Sequence, residues 1–139
     1  MQPFHLAIPV HDIEQARTFY GEVLGCAQGR SSETWIDYDL YGHQLVVHNV
    51  GSKSEARGYG SVDGVAVPIP HFGVVVTAQQ FDELAARVSG AGVQFVIAPT
   101  TRYAGKPAEQ RTMFFLDPSG NALEFKAFRD PAQMFAQQQ

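Results

Sequence analysis

The chain has 139 residues, 45% hydrophobic and 17% charged, the make-up of one globular domain with enough apolar mass for a sizeable core. A net charge of -4 and a pI near 5.6 leave no basic excess, so no nucleic acid and no membrane surface is expected as a partner, and a small molecule is. A single cysteine, Cys26, rules out an internal disulfide, and the absence of a leader-like apolar run before the first strand adds to the expectation of a reducing cytoplasm.

Taken in chain order, the sequence repeats itself. Phe4 to Val10 reads as a strand leading into a helix over Asp12 to Leu24, in which Asp12 is the N-cap, Ile13, Ala16, Phe19 and Val23 form an apolar stripe, and Gly25 is the stop. Thr34 to Asp39 and Gln44 to Val50 read as a hairpin about Gly42. The stretch from Gly51 to Val67 holds four glycines and little periodicity, and reads as a linker or loop. The pattern then starts again. Pro70 to Val76 leads into a helix over Gln79 to Val88, Gly90 to Gly92 stop it, and Val93 to Ile97 is a strand. Thr112 to Asp117 and Ala122 to Phe128 make a hairpin about Gly120, and the tail from residue 129 to 139 offers one short helix through Ala132, Met134 and Phe135 before a glutamine-rich end of little order. The expected fold is α+β: two tandem βαβββ modules, at about 3–50 and 68–128, joined by a linker at about 51–67 and forming one cup-shaped mixed sheet around a central site.

Strand alternation says which side chains look into that cup. Leu6, Ile8 and Val10 form the apolar face of the first strand, which turns His5, Ala7 and Pro9 the other way. Phe72, Val74 and Val76 likewise leave His71, Gly73 and Val75 on the opposite face, with Ala7 and Gly73 giving space beside the two histidines. On the last strand Leu123, Phe125 and Ala127 pack inward and Glu124 faces the cup. Singly, each of these is an ordinary strand-end histidine or edge carboxylate. Together, two imidazoles and a carboxylate of matched parity, a carboxylate that would be costly to bury alone, predict one divalent metal ion on His5, His71 and Glu124.

Those residues, with A-R-T-F-Y-G-E-V-L-G at Ala16 to Gly25, P-H-F-G at Pro70 to Gly73 and F-F-L-D-P-S-G-N-A-L-E-F at Phe114 to Phe125, resemble the vicinal oxygen chelate superfamily of glyoxalases, extradiol dioxygenases, fosfomycin-resistance transferases and bleomycin-binding proteins. The chain looks most like small bacterial proteins described as predicted extradiol-type dioxygenases. Aligning Gly42 with Gly120 sets Val46 opposite Glu124, so the fourth ligand of glyoxalase-like members is a hydrocarbon here and open metal positions are implied. The resemblance implies ferrous iron first, with manganese, zinc or nickel as alternatives, and a homodimer whose modules pair within or across chains.

The extradiol pattern is incomplete, because Phe114 stands where ring-cleaving members have a tyrosine and no separate acid-base histidine matches. His48, on the cup face by parity, and Tyr103, in the loop from Pro99 to Arg111, are the candidates to move a proton. Arg102, Lys106 and Arg111 make that loop cationic and are candidates, with Phe114, to contact substrate. Trp35 and Tyr38 read as packing, His11 and His43 as turn residues. The reaction expected first is extradiol ring cleavage. Metal-promoted isomerisation, lysis or thiol transfer is the second expectation, and non-catalytic sequestration of a small molecule the third.

Overall fold

The computed structural model describes residues 1–137; Gln138 and Gln139, part of the expected glutamine-rich end, lie outside them. Strand β1 (His5–Val10) runs into helix α1 (Ile13–Ala16), which continues as a π-helical segment (Arg17–Val23), followed by β2 (Ala27–Ser31), β3 (Trp35–Leu40) and β4 (His43–Asn49). The second module repeats the order as β7 (His71–Phe72), α2 (Ala78–Gly90), β8 (Phe95–Arg102), β9 (Gln110–Leu116) and β10 (Ala122–Phe128), with a 3-10 turn (Pro131–Gln133) behind it. Between the two stand β5 (Gly58–Val62) and β6 (Val65–Ile69). Each module forms a four-stranded mixed sheet, ordered β1-β4-β3-β2 and β7-β10-β9-β8, in which only the first and last strands of the module pair in parallel. This is the expected α+β, two-module architecture.

The local chemistry explains the elements. Asp12 caps α1 by accepting from the backbone N–H groups of Glu14 and Gln15, and Thr77 and Gln80 build a reciprocal capping box at the start of α2. Tyr41 and Gly42, both at positive φ, make the two-residue turn between β3 and β4, whereas β9 and β10 are joined by the longer Asp117 to Asn121 loop. The stretch read as a linker holds a hairpin: Asp63 and Gly64, again both at positive φ, turn β5 into β6. Val62 and Val67 of that hairpin pack on Phe114, Ala122, Val96 and Ile97 of the second module.

Both sheets turn the same kind of face inward. Ile8, Val10, Ile36, Tyr38, Leu45 and Val47 of the first sheet, Met113, Phe115, Leu123 and Phe125 of the second, and Phe19, Tyr20, Phe81, Leu84 and Val88 of the helical segments form one buried cluster. Phe19 lies 6.1 Å from Phe115 and Tyr41 6.0 Å from Phe125, ring centre to ring centre, so the modules meet through their helix-bearing faces. The faces carrying His5 and Glu124 lie on the other side of each sheet.

Candidate metal centre

His71 and Glu124 are the two expected ligands that come together. Ala122 pairs with His71 across the parallel β7–β10 ladder, which sets Glu124 one step further along the same face. The approach depends on Gly73: a Cβ there would fall 1.6 Å from the carbonyl oxygen of Glu124, so β10 occupies the space that the missing side chain was expected to leave beside the histidine.

The chemistry of the pair is fixed by its outer partners. His71 Nδ1 lies 2.8 Å from the carbonyl oxygen of Pro68, which can only accept, so Nδ1 donates there and Nε2 is the ring nitrogen left to face the cup. That nitrogen faces Glu124 Oε1 at 3.4 Å. Thr112 donates its hydroxyl to the other carboxylate oxygen, Oε2, at 2.6 Å, and Phe114 stands edge-on to the imidazole at 4.8 Å between ring centres. Glu124, Thr112 and Phe114 are all buried. An imidazole nitrogen and a carboxylate oxygen set this way attract when a proton or a cation lies between them. The donor set, one imidazole nitrogen and one carboxylate oxygen with outer hydrogen bonds of the right polarity, fits a borderline divalent ion.

His5 does not join them. It is exposed at the start of β1, its Nδ1 lies 2.9 Å from the Gln44 side-chain oxygen, and among the described residues no three His, Cys, Asp or Glu side chains are grouped to hold a metal. His48 is exposed on β4, paired in register with Pro9 and Trp35 on the outer face of the first sheet. Val46, as the repeat required, lies on that face between Gln44 and His48.

The cationic candidates separate. Arg102 pairs with Asp63 of the β5–β6 turn at 2.9 Å, donates to the Tyr103 hydroxyl at 3.0 Å and lies over the Tyr103 ring, so Tyr103 is bound into the wall that the hairpin forms. Arg111 has the opposite parity to Thr112 and Phe114: it pairs with Asp82 and covers Phe81 on the helix-bearing face. Lys106 is exposed in the loop before β9, held through its backbone by Tyr103 and Arg129. Phe114 alone of the four substrate candidates touches the His71 and Glu124 pair.

Three supporting residues can be located from sequence signals. Thr112 shares the parity of Phe114 and Glu124, Gln44 is the register partner of His5, and the Pro68 carbonyl is presented by β6, whose turn is announced by Asp63-Gly64. A cavity of about 410 Å³ adjoins His71, bounded also by Pro68, Pro70, residues 6–9 of β1, and the segment Ser54 to Arg57.

Comparison with known proteins shows the family. Residues 2–125 match the family model described as the glyoxalase/bleomycin resistance protein/dioxygenase superfamily. The chain therefore belongs to that superfamily. A crystal structure of a glyoxalase/bleomycin resistance protein/dioxygenase from Alicyclobacillus acidocaldarius is 34% identical, with 96% of each chain covered and a TM-score of 0.77. A glyoxalase/dioxygenase from Nostoc punctiforme shares the fold at 18% identity, covering 93% of this chain and 92% of its own, with a TM-score of 0.69. A genomically encoded fosfomycin resistance protein from Listeria monocytogenes does so at 16% identity, 91% of each chain and a TM-score of 0.65. No curated protein matches the chain. No helix among the described residues is long and apolar enough to cross a membrane.

Proposed function

We propose that the protein is a divalent-metal-dependent enzyme whose small substrate binds the ion through two neighbouring oxygens, with extradiol ring cleavage on ferrous iron as the leading reaction. The observation that carries this is Nε2 of His71 set 3.4 Å from Glu124 Oε1 while Nδ1 is held by the Pro68 carbonyl. Manganese, zinc and nickel suit the same donors. When bound, the ion supplies Lewis acidity to the substrate oxygens. The chain's own work is to hold His71 and Glu124 in one orientation through Pro68 and Thr112, and to keep water from their inner side with Phe114. His5 completes the set from a second copy, because the modules of one chain meet through their helix-bearing faces and leave the ligand faces outward. In such a homodimer His48 enters the cup with His5 and is the candidate to move a proton, with Tyr103, Arg102, Lys106 and Arg111 as the remaining candidates around it.

A second reading, metal-promoted isomerisation or transfer, is favoured by one observation: the residue edge-on to His71 is Phe114, which carries no proton to give. The experiment is anaerobic purification, metal quantification, and oxygen uptake with a panel of catechols after iron loading. Uptake supports ring cleavage; a metal-loaded protein with no uptake moves the assignment to the second reading, and a chain that refuses every divalent ion while still binding small aromatics is a sequestering protein. Mixing His5→Ala with Glu124→Ala chains tests the assembly. Random pairing across chains restores about a quarter of the wild-type metal sites, whereas pairing within a chain restores none.

A further inference from the structure

The seven arginines of the chain are not equivalent. Arg17, Arg30, Arg102, Arg111 and Arg129 each pair with a carboxylate, and Arg87 donates to the carbonyl of Leu24. Arg57 has no ionic or hydrogen-bonding side-chain partner among the described residues, and it lines the cavity of about 410 Å³ that His71 also lines. Its position is not that of a loose loop. Arg57 N–H donates to the carbonyl of Ile69 at 2.7 Å, Ser54 N–H donates to the carbonyl of Ser119 at 2.7 Å, and the Ser54 hydroxyl donates to Asn121 at 2.8 Å. Gly120, at φ +87°, lets that segment close in, since a Cβ there would lie 2.7 Å from the Ser54 carbonyl oxygen. The segment that brings Arg57 to the cavity is therefore clamped at one end to the Asp117 to Asn121 loop of the second module and at the other to Ile69 of β6.

We infer that Arg57 is the specificity-determining residue of this site and that the ligand it selects carries an oxyanion, a carboxylate or a phosphonate, on the side away from the oxygens that would meet a metal. The inference rests on the proposed location of the site at His71 but not on the ion. A guanidinium presents a planar fork to two oxygens of one anion, and an unpaired one beside a part-apolar cavity is cheaper to engage than Arg102 or Arg111, each of which must first leave a carboxylate. Glu55 lines the same cavity without pairing with Arg57, and it sharpens the selection by repelling a ligand with a second anionic group.

The test uses the full-length, metal-free chain and three probes that do not chelate: benzoate, phenylphosphonate and neutral benzamide, followed by amide NMR. The expected result is that both anions shift resonances of Arg57, His71 and Gly120 to Ala122, and that benzamide binds at least about tenfold more weakly. Arg57→Gln, a change at an exposed side chain, should lose about tenfold in anion affinity with the rest of the spectrum unchanged, and Arg57→Lys should recover part of it. Equal binding of benzoate and benzamide, shifts centred on Lys106 or another surface cation, no binding at all, or an unaltered affinity in Arg57→Gln would each overturn the inference. Manganese broadening of the His71 and Glu124 resonances is read in a separate sample. Metal binding without Arg57-dependent anion binding sinks this inference alone, and anion binding without metal binding sinks the metal reading alone.

Discussion

Thr112 decides how Glu124 can be used. A buried carboxylate needs both oxygens satisfied, and the hydroxyl occupies Oε2 so that Oε1 is the one left facing His71. Thr112→Val keeps the shape and removes the donor, so manganese affinity measured calorimetrically should drop about 10–100-fold, with Thr112→Ser close to wild type. Alternation in the sequence was enough to place Glu124 and His71 on one face, because parity is a property of the strand alone. It did not single out Thr112, whose role depends on which strand lies beside β10 and in what register. Cys26 illustrates a second residue-scale property, reactivity. Burial, with a smaller contribution from Asp39, pushes its thiol up from 9.0 to about 12. At pH 8 the native protein should leave an aromatic disulfide reagent unreduced over hours and react fully once unfolded in urea.

The short strand β7 shows what elements add to residues. Its ladder to β10 spans only His71 and Phe72, then resumes as an isolated bridge between Val75 and Lys126. Gly73 sits in the gap, against the Glu124 carbonyl. Gly73→Ala must push β10 aside, so it should lower stability in a urea titration by about 2–4 kcal/mol and weaken metal binding with it, whereas Ala at Gly42, where nothing crowds a Cβ, meets only the backbone penalty of positive φ. The helices and hairpins of both modules were legible because their caps, apolar stripes and turn glycines are local signals. The β5–β6 hairpin is obscured in the sequence, since four glycines between residues 51 and 67 mask the alternation, although Asp63-Gly64 flanked by Val62 and Val65 is the sequence of a two-residue turn. The two turns built on Asp and Gly also differ in length. Asp39 meets Gly42 in a two-residue hairpin, while Asp117 gathers the N–H groups of Ser119 and Asn121 in a five-residue loop.

At the scale of the molecule, the repeat predicts two sheets but not which faces meet. Each strand shows only that one face is apolar, and two such faces can bury themselves within a chain or between chains. Here they meet within the chain, and a polar seam fixes how. Tyr20, on the first module's helix, donates to Asp117 Oδ2 at 2.7 Å; Asn121 donates to that same oxygen and to the carbonyl of Pro9; and His11 N–H donates to the Ser119 hydroxyl. Tyr20→Phe leaves Asp117 with Asn121 and the two backbone donors but removes the one bond that crosses the buried interface at that oxygen, a loss of about 1.5–3 kcal/mol. The pH dependence carries the signature of the same residue. Burial first, then the charge of Asp117, raise the Tyr20 phenol well above 10.0 in the folded chain. The unfolded chain therefore releases this proton first as pH climbs, so the stabilisation is complete below 10.0 and is lost progressively above it. Cys26 adds a loss of the same sign between 9.0 and about 12. Urea midpoints taken from pH 8 to 11 should fall steadily in the wild type beyond pH 9, and Tyr20→Phe, weaker at pH 8, should fall less steeply above pH 10; parallel curves would remove Tyr20 as the alkaline-sensitive link between the modules.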